Sequence, residues 1–263
     1  MDVARENIVT GRITFDALGQ SRYEGVIARE QTGGRGQRGR EWYSAPGESL
    51  CATYYFRRGL TDPQHAGQIS LLAGVAVAHA LQGIGIAANL PLAPSQTPSE
   101  NAPAAETCSE QPFGLKWPND VLLHGKKVGG ILIEMVKALD EEWVALIGVG
   151  INISVRRFPD ELVGRATSLE LEGITAWDWR TLGKRIASAL REQAYYRRAE
   201  GFAAILSLWR TYDQTPGRRY QAQVEGATVE GTAVGIDDTG LLRLQLADGR
   251  EVVVGSASSL REL

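Results

Sequence analysis

The stretch QTGGRGQRGREWYSAPG, residues 31–47, decides how the rest of the chain is read. Gly33, Gly34, Gly36 and Gly39 alternate there with Arg35, Arg38 and Arg40. Glycine lets backbone N–H groups approach a ligand closely, and arginine offers fixed forks of donors to phosphate or carboxylate. Gly34 to Gly39 also spells G-x-G-x-x-G, which in a dinucleotide-binding fold follows a strand and opens a helix. Residues 23–30 (YEGVIARE) supply a strand, but Trp42, Tyr43, Pro46 and Gly47 follow where the helix is required. The doubly wound parallel fold is therefore rejected. An RNA-binding arginine–glycine segment would repeat, and this one occurs once. From the loop alone, a solvated turn and an anion-binding loop both remain open.

Beyond the loop, the 263 residues allow one large domain and a small one. A net charge of −3 gives no overall pull toward nucleic acid or an anionic membrane. Cys51 and Cys108 make no disulfide framework and read as free thiols in a reducing cytoplasm. No apolar run has membrane-spanning length, and no signal peptide is recognisable at the start.

Residues 1–6 read as helix, and residues 49–57 (SLCATYYFR) as the strand after the glycine loop. Asp62-Pro63 predicts a helix start, with Gln82 near the end and Gly83 as the stop. Residues 91–112 hold five of the ten prolines and no aromatic residue, lysine or arginine, and are expected to be a disordered insertion in a surface loop. Strands are predicted over 113–117, 127–136 and 143–153, the last two apolar enough to be covered on both faces. Thr175 is expected to open a long helix with Asp178 as its capping-box partner, and a second helical run carries Phe202, Ile205, Leu206, Trp209 and Tyr212. After Pro216-Gly217, short strands alternate with turns such as 237–240 (DDTG). This reads as a small β-barrel that leans on the main domain.

Three further motifs carry candidate chemistry. In KWPND, residues 116–120, Pro118 holds Trp117 extended, and Asn119 and Asp120 suit a turn. Lys116 sits in an apolar strand and needs an anion there. In residues 126–132 (KKVGGIL), Lys127 starts a strand that contains Gly129 and Gly130, a pattern of close backbone or ligand approach. Residues 148–152 (GVGIN) repeat the theme, ending on Asn152. His65, His79 and His124 lack metal-ligand spacing, and His79 reads as a satisfied core residue.

Together these motifs resemble the biotin protein ligase family, whose catalytic domain is shared with lipoate ligases. EQTGGRGQRGREW at 30–42, KWPND at 116–120, KKVGGILIE at 126–134 and GVGINI at 148–153 carry the resemblance in order, and GTAVGIDDTGLLRL at 231–244 extends it into the C-terminal module. The resemblance implies an α+β fold: a mixed central sheet flanked by helices over residues 1–214, then an SH3-like barrel over 215–263. It implies ATP-dependent activation of biotin to biotinyl-5′-AMP, with Mg²⁺, and transfer to a lysine of a biotin carboxyl carrier domain of acetyl-CoA carboxylase or another biotin-dependent carboxylase. Lys116 and Arg35 would be catalytic. Gln31, Gly34, Arg35, Gly36, Gln37, Lys116, Gly129 and Gly130 would meet biotin, and Arg38, Arg40, Trp42, Asn119, Asp120, Lys127 and Asn152 the nucleotide.

Two departures accompany the resemblance. A Ser-Thr pair that lines the biotin pocket in the family is expected just upstream of Asp2, a position ahead of Met1. Gln37 stands where many members carry arginine. With no winged-helix region ahead of the catalytic motifs, the resemblance points to the monofunctional type, with no DNA and no membrane as partner.

The chemistry fits that inventory. A carboxylate is already a nucleophile, so its attack on the α-phosphate needs no base; it needs cations to offset the repulsion of two anions. Asp120 is a conceivable base for the acceptor lysine. Lipoate–protein ligation and non-catalytic binding of biotin or nucleotide are the competing readings.

Overall fold

The computed structural model describes residues 1–15, 24–39, 41–44, 46–57, 63–87, 112–175, 177–224, 226–255 and 260–263. The expected insertion at 91–112, apart from Pro112, lies outside these residues, as do Arg40, Asp62 and Cys108.

The central sheet comprises β1 (Gly25–Ala28), β2 (Ser49–Phe56), β3 (Phe113–Lys116), β4 (Asp120–Leu123), β5 (Lys126–Lys137) and β6 (Trp143–Asn152), in the order β1-β2-β6-β5-β4-β3. All pairings between these strands are antiparallel. The parallel component that makes the sheet mixed is confined to isolated bridges, Leu115 with Asp213 and Lys127 with Ala166. β4 is absent from the sequence expectation. Asp120, read there as a turn residue, is the first residue of this strand and pairs with Lys116 across the hairpin.

The two faces follow from alternation along β6. Ala145, Ile147, Val149 and Ile151 point into the main core, built with α2 (Ala66–Ala87), α3 (Trp179–Glu200) and α4 (Phe202–Tyr212). Val144 and Leu146 point the other way and pack with Tyr55 and Val136 against Ala4 and Ile8 of α1 (Asp2–Val9). Farther along that second face, Gly148, Gly150 and Asn152 line an open cavity instead.

Two helix boundaries differ from expectation. α2 continues through Gly83, which does not take the positive φ of a helix-ending glycine. The first helical residue of α3 is Trp179, because Asp178 is itself the N-cap: its Oδ1 accepts from the backbone N–H groups of Arg180 at 2.8 Å and Thr181 at 3.1 Å.

A second sheet comprises β7 (Arg219–Val224), β8 (Ala227–Ile236), β9 (Leu242–Leu246), β10 (Glu251–Val254) and β11 (Leu260–Glu262), in the order β10-β9-β8-β7-β11. Among the described residues β10 and β11 are its opposite edges and do not pair with each other, so the sheet is open and the expected SH3-like barrel is not formed. Leu242 and Leu244 alternate into the core as the sequence indicates. Alternation fixes which side chains turn inward, but barrel closure depends on strand tilt and stagger, which alternation does not specify. Leaning on the main domain is borne out: Tyr220, Ala222, Ala233, Leu242 and Leu244 belong to the same core cluster as α2 and the central sheet. Among the described residues, no helix is long and apolar enough to cross a membrane.

Candidate active site

A cavity of about 860 Å³ opens on the uncovered face of the central sheet and reaches the second sheet. Its floor is flat because the floor residues are small. A Cβ on Gly150 would lie 2.6–3.0 Å from three atoms of the Trp42 indole, and one on Gly130 would lie 3.4 Å from the same ring. The glycines of β5 and β6 thus seat Trp42 directly on the sheet. Gly129 faces the opposite way, where a Cβ would lie 2.4 Å from Ile151 Cδ1, so its smallness serves packing of the core.

Lys116, Asp120 and Lys127 gather at one end. Asp120 Oδ2 lies 3.1 Å from Lys116 Nζ, and its Oδ1 lies 2.5 Å from Lys127 Nζ. Burial alone pushes the Asp120 carboxyl up, but Lys127 and Lys116 outweigh it and hold the group below the usual carboxylate range. A carboxylate so stabilised is a weak base. Asp120 is better suited to aligning two ammonium groups than to accepting a proton from an incoming lysine. The anion that Lys116 requires therefore comes first from within its own motif. A second comes from the far end of the chain, where Glu262 Oε2 accepts from Lys116 Nζ at 2.9 Å.

The remaining motif atoms are held by the backbone. Trp117 and Pro118 are joined by a cis peptide bond. Trp117 Nε1 donates to the Gly240 carbonyl at 2.9 Å, and Asn119 Nδ2 to the Ile131 carbonyl at 2.7 Å. Asn152, buried as expected for a satisfied polar group, donates through Nδ2 to the Thr167 carbonyl at 3.0 Å. Trp42 Nε1 is buried and has no partner among the described residues.

The glycine loop folds over the other end. Gly34 must be glycine for it to turn back: a Cβ there would lie 2.5 Å from the Trp42 carbonyl oxygen and 3.1 Å from Gln31 Oε1. Arg35 bridges Glu41, and a short 3-10 turn runs over Gln37–Gly39. The Arg35 guanidinium is paired with Asp2 and lies 3.7 Å from Glu134, which also holds Arg5 at 2.6 Å. Gln31, Arg35, Gly36, Gln37 and Trp42 line the same cavity as Lys116, Asn119, Asp120, Lys127, Gly130 and Asn152. Gly34 supports the loop from behind, the Arg38 side chain and Arg40 lie outside what is described, and Gly129 is turned away.

A model of the biotin/lipoate A/B protein ligase family matches residues 10–152. The chain belongs to this biotin/lipoate ligase family. A model of the biotin protein ligase C-terminal domain also matches residues 217–259. Among relatives, the bifunctional ligase/repressor BirA of Bacillus spizizenii is 34% identical over 85% of this chain and 62% of that protein. The chain therefore spans less than two thirds of that relative. The biotin–[acetyl-CoA-carboxylase] ligase of Mycobacterium tuberculosis is 32% identical over 88% of this chain and 76% of that protein. In structure, the chain is similar to the biotin protein ligase from Aquifex aeolicus in complex with biotin and ATP. The TM-score is 0.68 at 26% identity, covering 91% of this chain and 89% of that one.

Set in this ligase family, the cavity contains residues that motif reading did not find. Glu262, Arg218 and Tyr220 reach it from the second sheet, and Met1 lies over Gly148, where a Cβ would be 3.0 Å from its sulfur. No local signal marks Glu262: it is one acidic residue in a C-terminal SLREL, and its importance comes from lying next to Lys116 in space.

Proposed function

We propose that the chain activates biotin with ATP to biotinyl-5′-AMP and transfers the biotinyl group to a lysine of a biotin carboxyl carrier domain. That domain would belong to acetyl-CoA carboxylase or another biotin-dependent carboxylase. The observation that carries this reading is the meeting of Lys116, Asp120 and Lys127 with the Arg35 loop around one cavity. In the first step a carboxylate oxygen of biotin bonds to the α-phosphorus and pyrophosphate leaves. In the second the acceptor amine attacks the acyl carbon and AMP leaves.

Lys116 offsets the repulsion between carboxylate and α-phosphate, and Asp120 fixes where its charge sits. Lys127, Asn119, Asn152 and Trp42 belong to the nucleotide side of the reading, and the unpartnered Trp42 Nε1 is a donor available to a ligand. Gln31, Gly36 and Gln37 belong with biotin. Arg35 would leave Asp2 when the loop closes over the adenylate, which excludes water from a labile acyl phosphate. Among the described residues no three His, Cys, Asp or Glu side chains gather to hold a metal ion. On this reading Mg²⁺ enters with the phosphates of ATP. A cytoplasmic setting accords with ATP as substrate and with Cys51 as a free thiol.

The test is ATP–pyrophosphate exchange measured with biotin and, separately, with lipoate, followed by label transfer to a carrier domain. Biotin-dependent exchange and transfer are expected. Exchange supported by lipoate and not by biotin would overturn the choice of acid, and binding without exchange would overturn catalysis.

A further inference from the structure

At the junction of the two sheets Lys116 meets three residues that the adenylation chemistry leaves unused, Glu262, Arg218 and Tyr220. Glu262 lies between two cations: Oε2 accepts from Lys116 Nζ at 2.9 Å and Oε1 from Arg218 Nη1 at 2.8 Å. Arg218 is fixed from behind, its Nε donating to the Gln214 carbonyl at 2.8 Å. Next to them Tyr220, only 2% exposed, lines the same cavity with a hydroxyl that has no partner among the described residues. Burial first, and then the negative charge of Glu262, push this phenol up. Like any tyrosine at neutral pH, it keeps its proton and can donate it in a hydrogen bond. Partly desolvated cations require an anion, and a buried hydroxyl requires an acceptor. The chain's own carboxylate meets the first requirement and leaves the second unmet.

We infer that Arg218, Tyr220 and Lys116 form a subsite for a diphosphate anion, and that Glu262 occupies it until such an anion displaces it. The inference rests on the ATP-dependent reading of the site, in which the diphosphate is the β,γ part of ATP or the pyrophosphate that leaves. Both oxygens of Glu262 are taken, one by Lys116 and one by Arg218, and neither accepts from the Tyr220 hydroxyl. A diphosphate presents more acceptor oxygens over a longer span and can meet all three donors at once. Glu262 acts in this arrangement as a competing anion. It repels a bound diphosphate and reclaims Lys116 and Arg218 when that group departs, so it weakens retention of the product. Asp120 keeps its own hold on Lys116 throughout, which leaves the lysine placed for the α-phosphate.

The test is titration calorimetry of the full chain with inorganic pyrophosphate, without biotin or ATP, at fixed ionic strength and with sulfate as control. Saturable binding is expected, tighter than for sulfate. Glu262→Gln should tighten it about tenfold, since a like charge facing the ligand is removed. Tyr220→Phe keeps the packing of the ring and should weaken binding about threefold to tenfold, the scale of one hydrogen bond. A purely structural role for Glu262 predicts a lower melting temperature in Glu262→Gln with no gain in affinity, and that result overturns the inference. So does sulfate binding as tightly as pyrophosphate. Unchanged affinity in Tyr220→Phe overturns it even if Glu262→Gln does not fold. Because the titration contains no biotin, a failure of the biotin reading in the exchange assay is read separately from a failure of this subsite.

Discussion

Lys116 shows how much one position can require. An ammonium group in an apolar strand must be paired, and Asp120 and Glu262 both pair it. On the proposed mechanism its charge is spent on the transition state, so Lys116→Ala should lower the adenylation rate by about 10²-fold or more, the scale of a lost electrostatic donor. A purified, folded variant with a near-normal exchange rate would remove Lys116 from the mechanism. Asp120 carries a pH prediction. Its folded pKa is depressed, so its contribution to stability is fully present above the usual carboxylate value of about 3.9 and is lost as pH falls through the lower folded value. Unfolding measured from pH 6 down to pH ~3 should show wild type losing its advantage over Asp120→Asn in that window. A gap that stays constant across the window would mean that the ion pairs do not govern this carboxyl.

The glycine loop and the floor strands form one device at the scale of elements. The loop can lie flat because Gly130 and Gly150 leave room for Trp42, and it turns because Gly34 has no side chain. With Arg35 tied to Asp2 and Glu134, the loop is anchored to α1 and β5. Closure over an adenylate would exchange those pairs for contacts with ligand. Limited proteolysis by trypsin over residues 35–40 should therefore slow when biotin and ATP are both present, with fragments mapped by mass. Equal cleavage with and without the two ligands would argue against a closing loop. These motifs were legible in sequence because their chemistry is local: glycines where backbones approach, a lysine before a turn. The start of α3 was misplaced from the same kind of signal, since Asp178 suits either a cap or a third helical position and the chain direction decides which.

The two sheets share a core and a cavity at the scale of the whole molecule. Gly240 joins them: its carbonyl accepts from Trp117 Nε1, and a Cβ on it would lie 2.7 Å from Leu71 Cδ1. Its φ of +88° is also one that an alanine tolerates poorly. Gly240→Ala should cost about 1–3 kcal/mol through strain and overpacking. It should shift the whole unfolding transition in calorimetry, because the second sheet has little core of its own. A separate early transition confined to that sheet would show that it unfolds independently.

Residue type and alternation along the chain were enough to determine most of the strand-and-helix inventory. They marked Lys116, Lys127 and the glycine loop as places where an anion could be met, and the resemblance to the ligase family carried by those motifs joined them into one chemistry. They did not determine that β4 forms, because four residues after a turn become a strand only when neighbouring strands pair with them. Nor did they determine whether the second sheet closes, since closure is a matter of tilt and stagger. Which of two adjacent glycines faces the cavity was decided by register: Gly130 faces it and Gly129 faces the core. The meeting of Glu262, Arg218 and Tyr220 with Lys116 was decided by tertiary structure alone. A contact between residues 116 and 262 depends on the packing of one sheet against another, and nothing in the chain near either residue encodes it.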